Sequence, residues 1–192
     1  MFTGIFGTKH QSVFSIKNAL NVDADISVVG LKGQSLLLCL KNCLPVSPGF
    51  IISAEVSKSF SMDRTTLRQS LKDDINSHVS ILEKETGRDF FCSEEYQDKH
   101  RFPLLISIRE SPVIGSPGTS TVLNVGMNPT KISRMREVTG RNLFVLDTYR
   151  RFLQDWGTNF LGIDEKVYKD IVNEKLKQLQ LRSAHSVRFC SQ

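Results

Sequence analysis

The sequence predicts an α/β chain: a small mixed sheet with helices, continued by a helical extension. Two observations predict the α/β part. Apolar runs of strand length recur near residues 26, 50, 104 and 121, and stretches with apolar residues every three or four positions separate them. A third predicts the extension: from Asn128 to Leu181 only helical periods remain, punctuated by the capping and stop residues that helices use.

Taken in order, Ile26 to Val29 reads as a short strand. Gly30-Leu31-Lys32-Gly33 follows as a turn, then a helix from about Gln34 to Asn42 with Leu36, Leu37 and Leu40 on its apolar face. A glycine turn that feeds a helix start suits an anion, because free N–H groups and the helix dipole both favour negative charge there. The Walker A spacing is absent, so this is not a P-loop. Leu44 to Gly49 holds two prolines and a glycine and must turn. Phe50 to Ile52 is a strand, and Ser53 caps a short helix through Phe60. Asp63 caps a long helix to about Glu85, its stripe made of Leu67, Leu71, Ile75, Val79 and Leu82, with Gly87 as the stop. His78 lies beside that stripe as a surface histidine, and Phe90, Phe91 and Tyr96 are expected to seal the edge of the core from a polar loop.

Leu104 to Ile108 alternates as a strand and ends on Arg109. A Gly/Ser/Pro loop runs from Ser111 to Ser120, and Thr121 to Val125 forms the next strand. A guanidinium at a strand end, facing a loop of small residues, can hold a polyanion: it offers a fork of donors while the loop backbone offers N–H groups. An irregular hairpin with an exposed arginine fits the same residues. Asn128-Pro129 then starts a helix that stops at Gly140. A second runs from about Leu143 to Trp156, built on Phe144, Tyr149, Phe152, Leu153 and Trp156, with Gly157 read as its end. Asp164 caps a last helix to about Leu181, and residues 182–192 read as a tail.

Composition bounds the partners. The chain has 192 residues, 40% hydrophobic and 23% charged, with a net charge of +5. No apolar run has the length of a membrane span. The positive excess is spread out and suits phosphate ligands, RNA or an acidic partner. No basic block interleaved with aromatics marks a nucleic-acid face. Cys39, Cys43, Cys92 and Cys190 have neither a CxxC nor a zinc-ligand spacing, and Cys39 and Cys43 are expected to be core thiols. The first 22 residues carry no acidic residue but also no arginine, which predicts no cleaved presequence. The expected compartment is intracellular, cytoplasmic or organellar, the mitochondrion included.

Three blocks in order resemble the N-terminal nucleotide-binding domain of pyruvate, phosphate dikinase. The first is Gly30-Leu31-Lys32-Gly33, running on to Leu44-Pro45-Val46-Ser47-Pro48-Gly49-Phe50; the family reads Gly-Gly-Lys-Gly-Ala-Asn-Leu, then Leu-Pro-Val-Pro-Pro-Gly-Phe. The second spans Leu105 to Asn128, where the family reads roughly Leu-Val-Ser-Val-Arg-Ser-Gly-Ala, Ser-Met-Pro-Gly-Met-Met-Asp-Thr and Leu-Asn-Leu-Gly-Leu-Asn. The third runs from Phe144 to Gly157 around Asp147-Thr148-Tyr149-Arg150-Arg151-Phe152, against the family's Phe-Ala-Tyr-Asp-Ser-Tyr-Arg-Arg-Phe-Ile-Gln-Met-Phe-Gly. The resemblance divides the chain into an N-terminal extension over 1–25, a dikinase-like domain over 26–163, and a C-terminal helix and tail over 164–192.

That resemblance implies a partial ATP-grasp-like lobe. It implies ATP with magnesium as ligand, and Lys32, Arg109 and Gly118 as phosphate-binding residues. It assigns no catalytic residue and no metal ligand here. The family's acidic magnesium-holding lobe, its phosphohistidine domain and its pyruvate-binding barrel all lie beyond the matched blocks. The chain also departs from the family pattern. Leu31 stands in place of a glycine, Glu110-Ser111-Pro112 in place of Ser-Gly-Ala, and Thr119-Ser120-Thr121 shortens the loop after Gly118. Two functions follow as expectations. One is a non-catalytic lobe acting as a structural or accessory subunit of a larger protein complex. The other is an ATP-binding module of a phosphotransferase, completed by another domain or chain.

Overall fold

The computed structural model describes residues 12–17, 26–56, 69–91, 101–111 and 121–179. The chain forms two compact units, and its path alternates between them: the first unit ends at Gly87 and is rejoined at Ser111, and the remaining described residues make the second. The elements are mixed α and β, as expected, with the strands in two separate antiparallel pairs, one in each unit. No helix among the described residues is long and apolar enough to cross a membrane.

In the first unit, β1 (Val13–Ser15) pairs with β2 (Phe50–Ile52), Val13 facing Ile52 and Ser15 facing Phe50. β1 falls inside the segment read as an extension, and three residues between turn-poor neighbours gave no period to read. Helix α1 (Ile26–Lys41) includes Ile26 to Val29, which the sequence reading took as a strand. Four β-branched or small residues fit either period; they form a helical turn that breaks at Gly30, and beyond the break Gly33 and Leu37, four apart, share a buried helix face. Phe14, Val29 and Leu37 form the core of this unit, with Val28 and Ile51 packed on it. Gly33 lets α1 approach β2: a β-carbon there would lie 3.2 Å from the Ile51 side chain.

After Lys41 the chain turns with Cys43 at φ 55, its N–H on the Leu40 carbonyl and the Leu44 N–H on the Cys39 carbonyl, each at 2.9 Å. Cys39 is half-buried and Cys43 exposed, so the expectation of two core thiols is corrected: this is a helix end, and Cys43 lies just past it. Ser53 does cap, accepting from the Val56 N–H at 3.4 Å. Helix α2 (Gln69–Thr86) buries Val79 and Leu82. His78 keeps its ring 5.5 Å from that of Phe50, and its Nδ1 donates to the Asp74 carbonyl at 2.8 Å. The expected Asp63 cap and Tyr96 lie outside the described residues.

In the second unit, β3 (Ile106–Arg109) pairs with β4 (Thr121–Val125), and the register slips between Ile106 and Ile108. Asn124 absorbs the extra residue at φ 60, a conformation asparagine tolerates. Helix α3 (Pro129–Thr139) starts as the sequence says: Asn128 accepts from the Lys131 N–H at 2.8 Å, and Gly140 ends it in a left-handed turn. Met127, Ile132, Met135 and Val145 form the core, with Phe102, Leu105, Tyr149 and Phe152 against it. Phe90 lays its ring over Gly126, whereas Phe91 is exposed.

Helix α4 (Asn142–Leu161) runs straight through Gly157 and stops at Gly162, φ 67. The reading of Gly157 as a stop is therefore corrected. Gly157 is buried and the Tyr168 hydroxyl fills the space where its β-carbon would be, so this glycine serves a close helix–helix approach. Helix α5 (Glu165–Gln178) begins on Asp164, which accepts from the Lys166 N–H at 2.8 Å.

Candidate functional site

The glycine turn expected to meet phosphate is a kink inside α1. Gly30 adopts φ 69 and ψ 173 and breaks the helix, so the N–H groups just after it have no helical acceptor behind them. Lys32 is one of these. Its N–H donates to Ser111 Oγ at 3.0 Å, across 79 positions of sequence and inside the first unit. The kink needs glycine twice over. A positive φ disfavours any side chain, and a β-carbon on Gly30 would lie 2.8 Å from Ser111 Cβ. The Lys32 side chain is half-buried.

Arg109 is the last residue of β3, exposed and paired in the ladder with Thr121. Lys32 belongs to the first unit and Arg109 to the second; each is fixed within its own unit. Gly118 lies outside the described residues. Among the described residues no three His, Cys, Asp or Glu side chains converge as a metal site would require.

The sequence reading missed Ser111. The departure from a family glycine was visible at that position, but its partner sits in a distant helix. It also missed a buried polar cluster in the second unit. Asp89 and Lys131 are each 1% exposed. Arg134 Nη1 donates to Asp89 Oδ1 at 2.6 Å, and the Lys131 ammonium donates to the Phe90 carbonyl and lies 4.7 Å from the centre of the Phe90 ring. With the Leu104 N–H on the Asp89 carbonyl at 2.9 Å, the cluster fastens the turn after Gly87 to α3 and to the approach of β3. Its chemistry is structural: the Asp89 and Arg134 charges meet each other and the Lys131 ammonium meets a carbonyl and a ring, while Asp89 Oδ2 has no hydrogen-bond partner among the described residues.

Among the described residues, the Asp147 carboxyl is shifted. Partial burial alone would raise the Asp147 carboxyl, but hydrogen bonds and charge from Arg150 and Arg151 outweigh it and hold Asp147 below its ordinary value of 3.8. Arg150 Nη2 is 2.8 Å and Arg151 Nε 2.9 Å from its two oxygens. The trio lies on the exposed side of α4, within the third resembling block.

The fold and this turn define a class: a mixed α/β chain whose first long helix is kinked at Gly30, with Lys32 just after the kink. The particular relation comes from comparison with known proteins. The chain is homologous to a segment of pyruvate, phosphate dikinase. It is 31% identical over 153 residues to that protein of Entamoeba histolytica, a match covering 79% of this chain and 16% of the relative. Against the Giardia intestinalis protein it is 32% identical over 143 residues, 74% of this chain and 15% of the relative. Against the Rickettsia prowazekii protein the figures are 30% over 153 residues, 79% and 17%. The chain thus spans about a sixth of the length of the curated relatives it matches. No protein-family model matches it.

Proposed function

We propose that the chain is a diverged dikinase-like nucleotide-binding lobe that no longer transfers phosphate and acts as a structural subunit of a larger protein assembly. The observation that carries this reading is α5. The helix has a polar and an apolar side, yet it buries none of its residues, and Val167 and Ile171 stand 47% and 60% exposed. A helix of this length is marginal alone in water and draws its stability from packing an apolar face. Leu161 and Phe160, at the end of α4, are exposed beside it in sequence. Surfaces of this kind mark contacts with other protein.

The non-catalytic half of the reading is supported by chemistry. Phosphoryl transfer rests on positioning and charge neutralisation, with metal ions bridging the phosphates and a placed acceptor. Here Glu110 follows Arg109 directly in sequence, which adds a negative charge near the residue expected to meet phosphate. The second reading is an ATP-binding module, loaded with magnesium and completed by another domain or chain. It is favoured by the retained lysine behind a glycine turn.

The deciding experiment measures phosphate release from ATP and magnesium by the purified chain and by Lys32→Ala, with light scattering on the same samples. We expect no turnover, and self-association that Ile171→Glu relieves. Turnover that depends on Lys32 promotes the second reading, and a monodisperse monomer with α5 protected from hydrogen exchange removes the assembly role.

A further inference from the structure

Ser111 occupies the place where a phosphate oxygen would meet the glycine turn. The Lys32 N–H, freed from the helix ladder by the Gly30 kink, points at an acceptor oxygen 3.0 Å away. That oxygen is the Ser111 hydroxyl. The rest of the same side chain closes the space over Gly30, since even a β-carbon there would come within 2.8 Å of Ser111 Cβ. A hydrogen bond and a steric contact thus come from one residue onto two positions of one turn, and both lie within the first unit. An incoming phosphate oxygen would have to displace a neutral hydroxyl, and it would also have to push aside a side chain that leaves no room for even a β-carbon on Gly30.

We propose that Ser111 is a built-in stopper that holds the turn at Gly30–Lys32 closed to the phosphates of a nucleoside or inorganic triphosphate. The proposal rests on reading this turn as the phosphate-binding part of a dikinase-like lobe, and it supplies a mechanism for the loss of function. Closure comes from a hydroxyl and one carbon, so removing them should reopen the turn. Serine to glycine removes both. Serine to alanine frees the Lys32 N–H but keeps the β-carbon against Gly30.

The test is a titration of the full chain, uniformly labelled with nitrogen-15, with inorganic tripolyphosphate and then with ATP, following the Lys32 amide by NMR. Wild type, Ser111→Ala and Ser111→Gly are compared, and unperturbed amides of the first unit remote from Gly30, Lys32 and Ser111 report that each is folded. Ser111→Gly is expected to bind at least about tenfold more tightly than wild type, the ratio expected for one hydrogen bond to a charged group. Its Lys32 amide should move on binding, with Ser111→Ala in between. Equal affinities of wild type and Ser111→Gly overturn the stopper. So does a Ser111→Gly chain that is folded and binds neither probe, or binds with its Lys32 amide unmoved. Phosphate release, measured in parallel, reads the non-catalytic assignment separately: turnover by wild type removes that assignment, while the affinity ratio still decides the role of Ser111.

Discussion

Asp89 and Arg134 form an ion pair at 2.6 Å across 45 positions of sequence, with the Asp89 side chain 1% and that of Arg134 16% exposed. Breaking a buried pair from one side leaves a charge without its partner and costs about 3–5 kcal/mol, whereas replacing both sides with apolar groups is close to neutral. Arg134→Met should therefore shift the urea midpoint strongly downward, and Asp89→Leu with Arg134→Met should recover most of the loss. Equal midpoints for the single and double variants would show that the pair is not coupled.

Gly157 sits inside α4 with the Tyr168 hydroxyl where a β-carbon would go. In an open helix interior, glycine to alanine gains about 1 kcal/mol. Here Gly157→Ala should instead destabilise by about 1–3 kcal/mol, the usual cost of overpacking. In a Tyr168→Ala background the same change should become neutral or stabilising. Thermal denaturation of the four proteins in this cycle reads the sign change directly.

How much of this was legible in the sequence depends on how local the signal is. Asn128-Pro129, Gly140 and Asp164 act on their own turns, so the starts of α3 and α5 and the end of α3 were readable. Ile26 to Val29 was not, because a short apolar run shows its period only once its buried neighbours are known. Gly157 carries the residue type of a helix end, and only the approach of Tyr168 reveals its other use. At the site, Lys32 and Arg109 could be named from the motif, but the Lys32–Ser111 contact joins residues 79 positions apart and no spacing rule connects them.

Cys43 stands at φ 55 just past the end of α1, where glycine is the favoured residue. A non-glycine residue in the left-handed region costs about 1–2 kcal/mol. Cys43→Gly should raise stability by about 1 kcal/mol, less the extra freedom glycine gives the unfolded chain. Since Cys43 is exposed, no packing is lost. A lower melting temperature for the variant would show that the thiol makes a contact that matters.

Asp147 has its folded pKa held below the ordinary 3.8 by Arg150 and Arg151, against the opposing effect of partial burial. A depressed carboxyl contributes stability above its unfolded value and loses it as pH falls through the folded one. Its side chain is 41% exposed, so solvent screening limits the contribution to a few tenths of a kcal/mol, about the worth of a surface helix pair. Asp147→Asn should be slightly less stable than wild type at neutral pH, and the two should converge in strong acid. A gap that widens on acidification contradicts this sign.

Met135 and Val145 are both fully buried in the core of the second unit, while Tyr149 and Phe152 only line it. Met135→Ala should cost about 2–5 kcal/mol. Phe152→Ala should cost less than a fully buried phenylalanine would, because part of its ring already faces water. Calorimetry that ranks Phe152→Ala above Met135→Ala would move the centre of this core toward the aromatic row of α4.

The first unit leaves off at Gly87 and is rejoined at Ser111, and this sets how it can be cut, copied or inherited. No single stretch of gene encodes it. A product ending at Gly87 would hold both of this unit's described strands and its long helices, yet it would lack the residue seated over Gly30. Closing so long a loop carries an entropic penalty that rises only slowly with length, so the intervening segment can vary in size without unmaking the contact. Deletions from the front of the gene and deletions from its end would damage the same turn.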